Sequence, residues 1–204
     1  MIVALLLAAG SARRFGAPKL LQDLHGRPVA RWSADLLVRA KVDKVLVVVP
    51  PEHAALREAL QGVDADLVVN PDPGLGIASS LACGITALRA DAEAVLVTLA
   101  DEPTLSDAAI RRVLDRYREG GAAIVAPTYR GRRGHPVLFD RTVFDELRTL
   151  SGDVGARTVL GRDASRVAWV ELDEPLPADV DTPEDLARLR GATQFTSTSH
   201  PERP

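Results

Sequence analysis

The sequence predicts a three-layer αβα protein with a mostly parallel, Rossmann-like central sheet, and three observations predict it. Apolar runs recur at Ile2–Leu7, Lys44–Val49 and Ala94–Leu99, with almost no polar interruption, as expected of strands covered on both faces. Between them lie stretches of helical periodicity, such as Val29, Trp32, Leu36 and Leu37, each with one apolar face. Gly, Pro and charged residues gather just after the apolar runs. Strands alternating with helices fold as a sheet between two helical layers.

The elements follow in order. Ile2–Leu7 is the first strand. Leu20, Leu21 and Leu24 precede a turn at His25-Gly26, and Pro28 suits the first turn of a helix whose core face is Val29, Trp32, Leu36 and Leu37. After the strand Lys44–Val49, Pro51 opens a helix with Ala55, Leu56, Ala59 and Leu60 inward. Asp66–Val69 is a third strand ending at Asn70. The loop 70–76 feeds a helix over 77–88, with Ile77, Leu81, Ile85 and Leu88 as its apolar face and Ser79, Ser80 and Gly84 off it. Cys83, among small residues, is expected to be a buried thiol. Ser106 caps a helix carrying Ile110, Val113, Leu114 and Tyr117 after the fourth strand Ala94–Leu99. A fifth strand at Ala122–Pro127, a short helix around Val143, Phe144 and Leu147, and a strand at Val167–Leu172 follow. Thr182-Pro183-Glu184-Asp185 is a strong helix start, with a capping hydroxyl, Pro at the first position and an acid three residues on.

Composition narrows the classes. A chain of 204 residues supports one domain, here 1–190, and the polar stretch 191–204 reads as a tail. The net charge of −3 disfavours nucleic acid or an anionic membrane as partner. No long apolar span or signal-peptide core stands in the sequence, so a cytoplasmic protein is expected. The single Cys83 excludes an internal disulfide and a cysteine metal cage.

Chemistry concentrates where strands end, the edge at which open α/β sheets bind ligands. The first strand leads into Ala8-Ala9-Gly10, then a small basic loop with Arg13 and Arg14 that closes on Lys19. Backbone N–H groups, arginines and a lysine around a glycine suit a nucleoside triphosphate. Five residues separate Gly10 from Gly16, and Ala17 follows, so this is not a P-loop; Ala12 and Arg13 break the dinucleotide fingerprint. Ser79 and Ser80 at a helix start can hold an anion or a base edge, or simply cap the helix. Asp101, just past the fourth strand, can hold Mg²⁺, because Ser106 serves the next helix better as cap. Glu102 reads either as support for that ligand or as an exposed side chain. Arg130, Arg132 and Arg133 precede an ordered turn at Gly134-His135-Pro136. Asp179 and Asp181, two apart in extended chain, point the same way. Ser151-Gly-Asp153-Val-Gly155-Ala-Arg157, taken alone, reads as a helix cap.

Leu7, Ala9, Gly10, Arg14, Phe15, Gly16 and Lys19 resemble the signature of the MobA-like nucleotidyltransferases, Leu-x-Ala-Gly-x-Ser-x-Arg-Phe/Met-Gly-x-x-Lys. Ala12 stands where many members have Ser, and Ser11 offers a hydroxyl one place earlier. Gly76–Leu81 is similar to the family's Gly-x-x-x-Ser-Leu, Asp101-Glu102-Pro103 to its Gly-Asp-Met/Gln-Pro, and Asp181–Asp185 to its Asp-Thr-Pro-Glu-Asp. The Gly-His-Pro-Val and Gly-Asp-x-Gly-Ala-Arg segments resemble molybdenum cofactor cytidylyltransferases most.

The resemblance implies a nucleotide half at about 1–103 and an acceptor half at about 104–190. It implies nucleotide contacts from Leu7, Ala8, Ala9, Gly10, Ser11, Arg14, Lys19, Asn70, Ser79 and Ser80, with Arg14, Lys19 and Asp101 catalytic. It implies Mg²⁺ on Asp101 and Asp181, and an acceptor held by His135, Asp153 and Arg157. The expected reaction moves a nucleoside monophosphate from CTP to the phosphate of molybdopterin, releasing pyrophosphate, with a molybdenum hydroxylase as partner downstream. Three alternatives stand beside it. One is a guanylyltransferase acting on molybdopterin or a phospholactate-type acid. Another is a non-catalytic nucleotide- or cofactor-binding delivery protein. The third is an NAD-dependent oxidoreductase, which the missing fingerprint opposes. Isoprenoid cytidylyltransferases fit less well, since Leu20 follows Pro18-Lys19.

Overall fold

In the computed structural model, residues 1–10, 15–152 and 155–192 are described, Arg157 by its backbone alone. The strands are β1 (Ile2–Leu7), β2 (Asp23–Leu24), β3 (Arg27–Pro28), β4 (Lys44–Val49), β5 (Asp66–Val69), β6 (Ala94–Leu99), β7 (Ile124–Tyr129), β8 (Arg132–Arg133), β9 (Val137–Asp140) and β10 (Val167–Leu172). The helices are α1 (Val29–Arg39), α2 (Ala54–Ala59), α3 (Ile77–Thr86), α4 (Asp107–Arg118), α5 (Phe144–Arg148), α6 (Arg157–Arg162) and α7 (Pro183–Arg190).

The main sheet has eight strands in the order β10-β7-β9-β6-β1-β4-β5, with β8 added beside β7. β1 pairs in parallel with both β4 and β6, so it has no open edge. Its residues alternate between two cores, which is why it reads as a continuous apolar run. Ala4 and Leu6 pack in one core with Ala30, Leu37 and Ile110, whereas Val3 and Leu5 pack in the other with Leu81, Ile85 and Phe144. Each fully buried leucine here contributes about 1.5–3 kcal/mol. The three-layer αβα expectation is met. Among the described residues no helix is long and apolar enough to cross a membrane.

One reversal matters for the site. β9 runs antiparallel to both β6 and β7, with Val97 opposite Val137. The residues that precede β9 therefore stand at the carboxyl ends of the parallel strands, beside those that follow β6.

Several sequence expectations are corrected. The fifth strand is Ile124–Tyr129, two residues later than Ala122–Pro127. Pro127 lies inside it because β9 pairs with Ile124 and Val125 while β8 pairs with Thr128 and Tyr129, leaving no ladder partner on that side at Pro127. Pro28 is the N-cap of α1 and part of the small β2–β3 ladder, not the first helical turn. Pro51 precedes α2 by three residues, and Ala55 is exposed. Helix α3 ends at Thr86. Ser80 and Gly84 are buried on its inner side, because a Cβ at Gly84 would meet Leu5 Cδ1 at 2.5 Å. The glycine lets α3 lie close against β1. Cys83 is half-buried and donates to the Val69 carbonyl at 3.3 Å.

Candidate active site

The site is a crevice along the carboxyl ends of β1 and β6. Lys19 sits in a 3-10 turn (Lys19–Leu21) entered from Pro18, and only 8% of the residue is exposed. Its Nζ donates to Asp101 Oδ2 at 2.6 Å and to Asp181 Oδ1 at 2.8 Å. Asp101 is placed by β6, whose ladder with β1 continues through Ala100 N–H to the Leu7 carbonyl at 3.1 Å. Asp181 is placed from the far end of the chain. Val180 N–H donates to the Asp101 carbonyl at 2.9 Å, and the Val180 side chain is buried with Leu24, Val29 and Leu186. The segment thereby turns Val180 inward. Thr182 and Asp185 cap α7 reciprocally, and Asp185 Oδ2 also accepts from Asp181 N–H at 3.2 Å. The helix start thus orients the backbone of the acidic residue before it.

The electrostatics follow from this clustering. Burial pulls the Lys19 ammonium toward deprotonation, but the charge of Asp101 and hydrogen bonds to Asp101 and Asp181 outweigh it, so its pKa is raised. Asp179 behaves oppositely. The residue is exposed, yet partial desolvation of its carboxyl and the nearby charges of Glu102, Asp101 and Asp181 push it up to about 6, against the pull of His135.

Two cavities adjoin this cluster. The first, of about 200 Å³, is lined by Leu7, Ala9, Gly10, Lys19, Ser80 and Asp101, with Gly76 and Ile77 opposite. Among the described residues expected to contact nucleotide, Ala8 is turned away: its side chain packs in the core on the α1 side. Asn70 and Ser79 are also outside the lining described. Asn70, 2% exposed, donates through Nδ2 to Ser79 Oγ at 2.9 Å and Ser80 Oγ at 3.0 Å. Ser79 Oγ donates to the Gly76 carbonyl at 2.8 Å. These groups brace the loop before α3, and Ser80 alone of the three reaches the cavity wall. Ser11 and Arg14 lie outside the described residues.

The second cavity, of about 230 Å³, shares Leu7, Ile77 and Leu99 with the first. Its walls are largely apolar, including Leu81, Val97 and Leu160, and its polar groups come from Arg133 and His135. The Arg133 guanidinium lies over the Trp169 ring, 4.7 Å from its centroid. Of the basic cluster, Arg133 alone lines this cavity; Arg130 pairs with Asp173 at 2.9 Å. Gly155 and Ala156 form part of the wall, so the start of α6 borders the cavity; Asp153 and the Arg157 side chain lie outside the described set. Glu102 is not an exposed side chain. It is 6% exposed, and its Oε1 lies 2.8 Å from His135 Nδ1. Trp169 escaped the sequence reading, because a tryptophan in an edge strand carries no signal beyond its bulk.

Asp101 and Asp181 direct one carboxylate oxygen each at a single cationic position, that of Lys19 Nζ. The point of convergence is taken by the ammonium, so an ion held by these two carboxylates would displace Lys19 Nζ; hard oxygen donors of this kind suit Mg²⁺ or Mn²⁺. No group of three or more His, Cys, Asp or Glu fit for a metal occurs among the described residues. A pair of carboxylates matches an ion that keeps waters and takes its remaining ligands from substrate phosphates.

Comparisons with known proteins bear on the family and the fold. A family model described as the MobA-like NTP transferase domain matches residues 4–167. Nicotine blue oxidoreductase of Paenarthrobacter nicotinovorans is 31% identical over 92% of this chain and 96% of its own length. The purine catabolism protein PucB of Bacillus subtilis is 29% identical over 94% and 97%. Rv0371c of Mycobacterium tuberculosis superposes with a TM-score of 0.84 at 30% identity, covering 94% of this chain and 97% of that one. Its complex with manganese also superposes, with a TM-score of 0.80.

Proposed function

The chain belongs to the MobA-like NTP transferase family, and on that premise we propose that it transfers a cytidylyl group from CTP to the phosphate of molybdopterin or its molybdenum-bearing form. The observation that supports this reading is the Lys19, Asp101 and Asp181 cluster, with Lys19 and Asp101 in the wall of a cavity that shares Leu7, Ile77 and Leu99 with a second, largely apolar one.

An oxygen of the acceptor phosphate forms a bond to the α-phosphorus, and the bond to pyrophosphate breaks, its electron pair leaving on pyrophosphate. The protein does little covalent work in such transfers, so positioning and charge dominate. Lys19, with Arg14 and the N–H groups near Gly10, holds the triphosphate and offsets the charge that develops as pyrophosphate departs. Ser80 borders the nucleotide. Asp101 and Asp181 would hold Mg²⁺, which would supply positive charge to offset that of the phosphates. Arg157 takes the acceptor phosphate, and His135 and Asp153 accept hydrogen bonds from the rest of the acceptor. Trp169 and Arg133 present a flat, cationic wall to its fused ring.

The deciding experiment measures pyrophosphate release from CTP, GTP and ATP with Mg²⁺, with and without molybdopterin. Release from CTP that depends on molybdopterin supports the reading. Release from GTP alone moves the base and keeps the mechanism. Nucleotide binding without release from any of the three supports the delivery-protein alternative. A second reading, oxidoreduction, is favoured by the name of the relative from Paenarthrobacter, and its NAD-dependent form can be checked directly. A thermal shift with NADH would support it, and none is expected.

A further inference from the structure

We propose that Glu102 is a positioning residue for the second cavity: it holds the His135 ring with a proton on Nδ1 and so fixes the edge that the ring presents to the acceptor. The kinetic part rests on the acceptor reading above; the placement of the proton does not.

Four observations carry the inference. First, Glu102 and Asp101 are consecutive but serve different cavities. Asp101 binds Lys19 at 2.6 Å, whereas Glu102 Oε1 lies 2.8 Å from His135 Nδ1. One rigid loop thus connects the two sides of the crevice. Second, the pair is held from both ends. The Glu102 carbonyl accepts from Ser33 Oγ of α1 at 3.2 Å and from Leu105 N–H at 3.2 Å. On the other side, the Tyr129 hydroxyl donates to the His135 carbonyl. A Cβ at Gly134 would meet Leu176 Cδ1 at 2.5 Å and the Tyr129 ring at 3.0 Å, so the backbone beside His135 packs without slack.

Third, a carboxylate only accepts hydrogen bonds, so a contact at this distance places the shared proton on Nδ1. Fourth, Glu102 Oε2 is buried with no hydrogen-bond partner among the described residues. A buried carboxylate with one bare oxygen is a poor choice for packing alone, since an apolar side chain of similar size would avoid the desolvation cost. The histidine that Glu102 holds lines the second cavity. A carboxylate that orients a histidine toward a ligand is a recurrent arrangement, because the partner on one ring nitrogen sets the chemistry of the other.

The test uses the full chain labelled with ¹⁵N-histidine, with the His135 resonances assigned by loss in His135→Asn. Long-range ¹⁵N–¹H correlation at mildly alkaline pH is expected to show a proton on Nδ1. Glu102→Gln, whose amide oxygen still accepts, should retain it, and Glu102→Met should move it to Nε2. A bare Nδ1 in the unsubstituted chain, or an unmoved proton in Glu102→Met, overturns the proposal. In the pyrophosphate-release assay, Glu102→Met should raise KM for molybdopterin about 10-fold or more while KM for CTP holds, as loss of a charged hydrogen bond predicts. Glu102→Gln should recover most of the difference. Equal rises in both constants, without recovery by Gln, would make the side chain merely structural. If the unsubstituted chain shows no turnover that depends on molybdopterin, the acceptor reading fails and the spectra still decide the role of Glu102.

Discussion

The two cavities share the wall formed by Leu7, Ile77 and Leu99 but are assembled in opposite ways. The first takes Leu7, Ala9 and Gly10 from the end of β1 and Lys19 and Leu20 from the turn that follows, completed by the loop before α3 and by Asp101. The second collects one or two residues each from β1, α3, β6, β7, β8, β9, α6 and β10. The first has the ammonium of Lys19 and the carboxylate of Asp101 in its wall, while the second is largely apolar, with Arg133 and His135 as its polar groups. A polyphosphate has the same charged backbone whatever its base, so a local loop suffices to grip it. A ring-bearing acceptor must be recognised by shape, and shape requires side chains that only tertiary folding gathers.

The sharpest way to break this comparison is Lys19→Ala. Loss of one preorganised cation should lower kcat for pyrophosphate release about 10²–10³-fold, with the near-UV circular dichroism spectrum retained. An unchanged kcat would remove Lys19 from the transfer step. Trp169→Ala should be smaller and one-sided. It removes an aromatic wall and its contact with Arg133, worth about 0.5–2 kcal/mol, so KM for the acceptor should rise while KM for CTP stays put. A matching rise in both would erase the distinction between the cavities.

Thr182→Ala tests how the distant segment is held. Deleting the capping hydroxyl should lower stability by about 0.5–2 kcal/mol in urea unfolding and weaken Mg²⁺ binding through Asp181. Stability and Mg²⁺ affinity both unchanged would detach the cap from the site.

The smallest effect concerns Asp179. Its native carboxyl holds a proton up to about 6, above the ordinary 3.8. Between those values the folded chain binds more protons than the unfolded one. Stability should therefore fall as pH rises through that window and level off above it. Exposure of the residue keeps the slope shallow. Asp179→Asn should flatten the curve of Tm against pH there; an identical curve in both proteins would mean that Asp179 does not titrate abnormally.

The sequence by itself determined the layers and most strands. β1, β4, β5, β6 and β10 have the bounds expected from their residues; β1, β4 and β6 do so because a strand covered on both faces is apolar almost throughout. Lys19 and Asp101 are legible from their places after strands, whereas Asp181 joins them only through the resemblance of Asp181–Asp185 to the family's Asp-Thr-Pro-Glu-Asp; the fold brings all three together. Local chemistry sufficed for the α7 start, where the Thr182–Asp185 capping box forms as its spacing implies. Tertiary structure decided the rest. Whether Ala8 faces a cavity or a core depends on which helix covers the strand end, and α1 does. Asn70 is a brace because Ser79 and Ser80 fold back over it. Pro127 can occupy a strand interior only because the neighbouring ladder has a gap at that position. Glu102 is buried because β9 runs backwards through the sheet and brings His135 to the end of β6. Strand direction is a property of pairing across long sequence separations, and no window of residues around Glu102 encodes it.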